Sequence, residues 1–217
     1  MPAGASSRTQ LMVSIAAGEG APERLAAVLA AVAAASIVVT APAGRELVAG
    51  DVLPLIATGQ KAGAAVLIEG DARLARAVRA DGVHVPYSDT VGDSYAEARA
   101  IVGGRGIVGA DAGRSRHDAM HLGEVGADYV AFGVPAFVKD RETAAERQLE
   151  LVEWWADIFE IPCVALDVAD PAQAGELAAA GADFVCLPIA AGIAPADAAA
   201  IAREWAAAIT GAPGAET

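Results

Sequence analysis

Short apolar runs alternate along the chain with longer stretches in which apolar positions recur every three or four residues. Eight runs read as strands: residues 12–16, 36–40, 65–69, 82–85, 106–110, 129–133, 163–168 and 184–189. None alternates cleanly between polar and apolar residues, which is the pattern of strands buried on both faces of a parallel sheet. Helical periodicity fills the intervals at 22–34, 72–79, 95–102, 117–125, 146–159, 171–180 and 195–209. A further helix is expected around 46–60, where Pro54 interrupts the pattern.

Punctuation supports this count. Ala80-Asp81-Gly82, Gly126-Ala127-Asp128 and Gly181-Ala182-Asp183 precede the fourth, sixth and eighth strands. A glycine at a helix end permits a left-handed cap, and a small residue then leads the chain into a strand. Eight strand–helix pairs in this length predict a single (β/α)8 TIM barrel over residues 11–210. A doubly wound sheet is the alternative, but no G-x-G-x-x-G follows the first strand. Residues 1–10 and 211–217 read as flexible tails.

The 217 residues are 55% hydrophobic but only 5% aromatic, so the core must be built from Val, Ile, Leu and Ala. No apolar run approaches the roughly 20 residues of a membrane span. The net charge of −13 argues against a nucleic-acid partner, which needs a basic face. It leaves room for a phosphorylated small molecule, because a few local cations can outweigh the global field in a cleft. Cys163 and Cys186 each lie in an apolar run and read as buried thiols of a cytoplasmic protein.

In such a barrel the residues just past the strand C-termini line the active site. Here they are Thr40, Glu69, Asp89, Asp111, Arg114, Arg116, Lys139, Arg141 and Asp167. Carboxylates on one rim suit a hard divalent ion such as Mg²⁺, and the cations suit phosphate oxygens. A solvated rim of an acidic protein collects carboxylates without any function, and only Glu69 with Asp89 stands out as a pair. His84, inside a strand, reads as a hydrogen-bonded structural histidine. His117 and His121, spaced i, i+4, read as a helix surface for want of a third ligand. Of Trp154 and Trp155, one is expected to pack on the barrel and the other to face outward.

Val66-Leu67-Ile68-Glu69-Gly70, followed after a helix by Ala80-Asp81-Gly82-Val83-His84-Val85 and Asp89, resembles the thiamine phosphate synthase and thiazole tautomerase (TenI-like) family. So do Gly126-Ala127-Asp128-Tyr129-Val130-Ala131-Phe132-Gly133, Ile161-Pro162-Cys163-Val164-Ala165 and Ala179-Ala180-Gly181-Ala182-Asp183-Phe184-Val185. The likeness runs from about Ala64 to Gly192. It implies a transferase that joins a hydroxymethylpyrimidine diphosphate to a thiazole phosphate and releases pyrophosphate. On this resemblance Glu69 and Asp89 hold Mg²⁺, Lys139 and Asp111 take catalytic positions, and Thr40, Asp167, Ile189, Ala190 and Gly192 lie in the substrate-binding loops. The protein would be a cytoplasmic enzyme, able to form a homo-oligomer.

The chemical motifs depart from the family pattern. The family's Asn-Asp is Glu69-Gly70, and its Q-x-R-x-K has no counterpart in Thr40-Ala41-Pro42-Ala43-Gly44. Its serine after the fifth strand is Asp111, its T-x-T-K is reduced to Phe137-Val138-Lys139, and its Gly-Gly phosphate loop reads Leu166-Asp167-Val168. Three readings remain: the transferase; a diverged member that binds a thiamine-related phosphate or a protein partner; or another barrel enzyme using Asp111 or Asp167 as acid and base. Convergence of Glu69, Asp89 and Lys139 on one pocket would favour the first, and Asp167 blocking the phosphate end would favour the second.

Overall fold

A computed structural model describes residues 9–135 and 137–211. Eight strands alternate with eight helices. The strands are β1 (Gln10–Ala16), β2 (Ser36–Thr40), β3 (Ala65–Glu69), β4 (Gly82–Val85), β5 (Ile107–Asp111), β6 (Val130–Phe132), β7 (Cys163–Ala165) and β8 (Phe184–Ile189). The helices are α1 (Ala21–Ala31), α2 (Ala49–Lys61), α3 (Ala72–Val78), α4 (Val91–Val102), α5 (Arg116–Glu124), α6 (Arg141–Ile158), α7 (Pro171–Ala179) and α8 (Pro195–Gly211). All strand pairs are parallel, and β8 returns to β1 to close the barrel. The expected TIM barrel is therefore the fold.

The expected elements are all present, with shifted ends. β1 begins at Gln10, whose amide donates to the Asp183 carbonyl, and α8 runs to Gly211. The rest of both expected tails, residues 1–8 and 212–217, lies outside the described residues. Helix α2 passes through Pro54 without a break. Pro54 and Gly50 both face solvent, so the Gly50 carbonyl that loses its helical donor can be hydrated. β6 and β7 are shorter than expected. At their upper ends Gln148, fully buried on α6, donates from Nε2 to the Phe132 and Leu166 carbonyls at 2.6 Å each. The Leu166 amide still donates to the Phe132 carbonyl, and Gln148 adds a second donor there.

Side-chain parity sorts the core into two layers. Leu11, Val13, Ile37, Val66, Ile68, Val108, Phe132 and Val185 pack outward against the helices, together with Trp155. Met12, Val38, Leu67, Tyr129, Ala131, Val164 and Cys186 fill the barrel. Trp155 is fully buried and donates to the Ile161 carbonyl, as expected of one of the pair, whereas Trp154 is not exposed but half-buried against the same core beneath Arg116. Inside the barrel the Tyr129 ring lies over Gly109 and stacks on His84 with ring centroids 5.9 Å apart. A Cβ on Gly109 would stand 2.1 Å from that ring.

The three punctuating aspartates have a shared role that the sequence reading did not assign. Asp81 Oδ2 accepts the Val66 amide at 2.8 Å, Asp128 Oδ2 the Val108 amide at 2.7 Å, and Asp183 Oδ2 the Cys163 amide at 2.8 Å. Each aspartate amide donates back to the carbonyl of the same residue. These clasps close the N-terminal ends of β3, β5 and β7, where a buried amide left unpaired would be costly. Replacing Asp183 by Ala is expected to lower the unfolding free energy by about 1–3 kcal/mol in urea titrations. Asp183→Asn should lose less, because an amide oxygen still accepts the Cys163 N–H.

Candidate active site

The C-terminal mouth of the barrel encloses a cavity of about 90 Å³ lined by Ser14, Val38, Glu69, His84, Leu166, Asp167, Cys186 and Pro188. Ligand pockets typically exceed roughly 300 Å³, so this space admits a small group and the bulk of a substrate must lie above the rim. A larger concavity of about 590 Å³ sits at the opposite end, between α1 and α8. Its lining of Thr9, Gln10, Leu11, Ala31–Ala35, Ala206, Ile209 and Thr210 contains no titratable side chain.

Three carboxylates converge at the mouth. Asp111 closes β5 and is only 6% exposed. Its Oδ1 accepts the Gly113 amide at 2.7 Å and the Gly133 amide at 3.0 Å. Asp167 stands above it at the rim, exposed on its solvent side, with Oδ2 accepting the Val134 amide at 3.0 Å. A Cβ on Gly133 would stand 2.7 Å from Asp111 Oδ2 and 2.9 Å from Asp167 Oδ2, so both carboxylates crowd the space that this glycine leaves open. Glu69 at the end of β3 completes the set, half-buried and opposite His84 in register.

Burial and mutual repulsion set the charge of this group. Desolvation pushes the Asp111 carboxyl up to about 7, helped by the Asp167 and Glu69 charges and opposed by the two amides. Glu69 is raised by burial and by Asp167. Partial desolvation also raises Asp167, while the Val134 amide and the Arg141 charge hold it down. Arg141 Nη1 donates to the Val134 and Pro135 carbonyls, which fixes this cation at the Asp167 edge of the mouth. Asp167 also adopts φ 54, a left-handed conformation that favours glycine. A backbone turn that favours glycine thus carries a carboxylate here.

His84 sits below the carboxylates. Its Nδ1 hydrogen-bonds the Tyr129 hydroxyl at 2.8 Å, and burial lowers its pKa to about 4, so the ring is neutral near neutral pH. The expected hydrogen bond is present, and the ring also lines the cavity. Burial pushes the Cys186 and Cys163 thiols up to about 12, and both are free.

The other expected site residues are placed less centrally. Thr40 is half-buried at the top of β2, with the inward parity of Val38. Ile189 turns outward into the sheet–helix core because it has the parity of Val185 and Leu187. Ala190 and Gly192 are exposed in the loop after β8. Lys139 and Asp89 are exposed, and neither lines the cavity that Glu69 lines. Glu69, Asp89 and Lys139 are thus not gathered into one pocket. Among the described residues no group of three or more His, Cys, Asp or Glu side chains is placed to hold a metal ion. Ser14 and Gln148 were not singled out from sequence, and Cys186 was read only as a buried thiol. Strands apolar on both faces hide which positions point inward, and the contacts of Gln148 depend on packing between distant segments.

The raised Asp111 carboxyl makes folding take up a proton. Between the ordinary 3.8 and about 7 the folded state holds a proton that the unfolded chain has released. Stability is therefore expected to fall as pH rises through this window and to level off above it, with Glu69 and Asp167 acting in the same direction. Asp111→Asn, which mimics the protonated carboxyl, should flatten this fall in denaturation curves taken at about pH 5 and about pH 8. An unchanged slope would show that Asp111 is ionised in the folded protein throughout.

A family model described as thiamine monophosphate synthase matches residues 11–191. The thiamine-phosphate synthase of Erythrobacter litoralis (strain HTCC2594) is 42% identical over 125 residues, 57% of this chain and 57% of that protein. The thiamine-phosphate synthase of Hyphomonas neptunium (strain ATCC 15444) is 43% identical over 131 residues, 60% of this chain and 58% of that protein. The chain thus spans a little over half the length of these curated relatives. Thiamine phosphate pyrophosphorylase from Pyrococcus furiosus superposes with a TM-score of 0.73 at 19% identity, covering 96% of this chain and 99% of that one. Tryptophan synthase from Mycobacterium tuberculosis superposes with a TM-score of 0.71, also at 19% identity, covering 94% of each chain. At such identities the two superpositions speak for the barrel alone. The family match, which extends from within β1 to just beyond β8, establishes that the chain belongs to the thiamine monophosphate synthase family.

Proposed function

We propose that the chain acts as a thiamine phosphate synthase-type transferase, joining a hydroxymethylpyrimidine diphosphate to a thiazole phosphate with loss of pyrophosphate. The observation that carries this reading is the family match over residues 11–191, which takes in the mouth loops as well as the scaffold. The small cavity suits part of a nitrogen heterocycle, whose N–H donors would meet Glu69, Asp111 and Asp167. Phosphate groups are repelled by those carboxylates and would lie outward, towards Arg141, Lys139 and the exposed loop that holds Ala190 and Gly192. A positioned cation stabilises the negative charge that develops on a leaving diphosphate. Arg141, held by two carbonyls, is the better placed of the two for that work. Magnesium enters this reading only as a companion of the diphosphate, and no step is assigned to it.

Asp167 favours a second reading. A carboxylate where the family carries a phosphate-loop glycine opposes phosphate binding at that end, and this suits a member that binds a related ligand without turnover.

Pyrophosphate release distinguishes the two. Purified protein given both substrates and Mg²⁺ should release pyrophosphate, and Arg141→Ala should slow release by about tenfold or more. No release from a folded sample would remove the transferase reading and leave the binding one.

A further inference from the structure

Arg24 is the only cationic side chain buried among the described residues, 5% exposed in the first turn of α1. A guanidinium carries five N–H donors and no acceptor. Nη1 and Nη2 converge on one acceptor, the Glu19 carbonyl, at 3.3 Å each, and Nε is buried without any partner. The four ion pairs among the described residues involve Arg45, Arg73, Arg99 and Arg147, so Arg24 has no carboxylate. A buried cation without a counter-charge is strongly unfavourable.

The surroundings suit an anion. Helices of a (β/α)8 barrel start at its C-terminal end, so the first turn of α1 is at the mouth. The loop before it, Gly18-Glu19-Gly20, has φ 139 at Gly18 and φ 68 at Gly20, both left-handed and both glycine. Gly18 opens onto free space, and a Cβ on Gly20 would stand 2.9 Å from Arg24 Nη1. Gly20 is the N-cap of α1, and no side chain caps its first turn. Among the described residues the Gly18, Glu19, Gly20 and Glu23 amides have no hydrogen-bond partner, whereas the Ala21 amide is taken by the Gly18 carbonyl and Pro22 has no N–H; the free amides and the helix dipole attract negative charge. Glu19 lies in the loop and Glu23 in the first turn of α1, but both are exposed and screened by water. In the strand order β1 lies across the barrel from β5, which places this loop on the side away from Asp111.

We propose that the Gly18–Gly20 loop, the first turn of α1 and Arg24 form a binding site for a phosphoryl group, separate from the carboxylate-lined cavity. The free arginine donors and the uncapped turn supply complementary hydrogen bonds to tetrahedral oxygens. This assignment does not require the transferase reading, because it is tested by binding.

The test is titration of the full chain with inorganic phosphate, followed through the arginine Nε–H resonances, with Arg24 assigned from an Arg24→Lys sample. A saturable shift of the Arg24 resonance is expected. Calorimetry should show affinity weakened about tenfold or more in Arg24→Gln, with part of it restored in Arg24→Lys. An Arg24 resonance that ignores phosphate would overturn the site, as would equal affinity in a folded Arg24→Gln protein. Should Arg24→Gln not fold, the wild-type resonance decides alone. A phosphate monoester that shifts the same resonance and is displaced by inorganic phosphate identifies the end of an organic substrate as the natural occupant. A response confined to inorganic phosphate identifies free phosphate instead.

Discussion

Val66, Val108 and Cys163 each exchange two hydrogen bonds with an aspartate that leads into the neighbouring strand, and the arrangement of the mouth follows from those clasps. Side chains of a strand alternate between its two faces, so fixing one residue at the bottom fixes the facing of every residue above it. Val66 points outward, so Leu67 and Glu69 point in; Val108 points outward, so Gly109 and Asp111 point in. In β7 the ladder stops at Ala165, and the left-handed turn at Asp167 brings its carboxylate back to the mouth. The three acids thus come from the three clasped strands. The polar pairs at one end of the barrel set the chemistry available at the other.

The mouth divides by charge. Carboxylates occupy the ends of β3, β5 and β7, and the guanidinium of Arg141 borders them at one edge. A neutral histidine lies beneath, held neutral by burial. A ligand with both a donor-rich ring and an anionic end has one favourable orientation in such a field, ring inward and anion outward. This geometry therefore imposes direction on a substrate before any group-specific contact forms.

The barrel was legible because each of its strands is a compact apolar run and similar punctuation precedes the fourth, sixth and eighth. The strand ends were less so: β6 and β7 stop short of their apolar runs, and Gln148, whose partners lie 16 and 18 residues away, binds the carbonyls there. For the site, position along the chain located the carboxylates at strand ends but could not say which of them share a cavity. Glu69 and Asp167 line one cavity and Asp111 crowds Asp167 beside Gly133, while Asp89, with the same sequence credentials, is exposed in its loop. Ile189 shows the other limit, since its single-residue parity turns it from the mouth to the core. The aspartates that precede strands read as turn punctuation, and their reach to the neighbouring strand depends on a pairing that local pattern does not contain.

His84 on β4, Gly109 on β5 and Tyr129 just ahead of β6 fill one slice of the barrel: the glycine makes room for the phenol ring, which carries the imidazole. None of the three can drift alone. A larger residue at 109 evicts the ring, a smaller one at 129 leaves a void and strips the imidazole of its hydroxyl, and an apolar one at 84 strands that hydroxyl in a dry interior. Substitutions here must arrive as a matched set, so descendants of this chain would inherit the trio as a block even while the loops around it diversify.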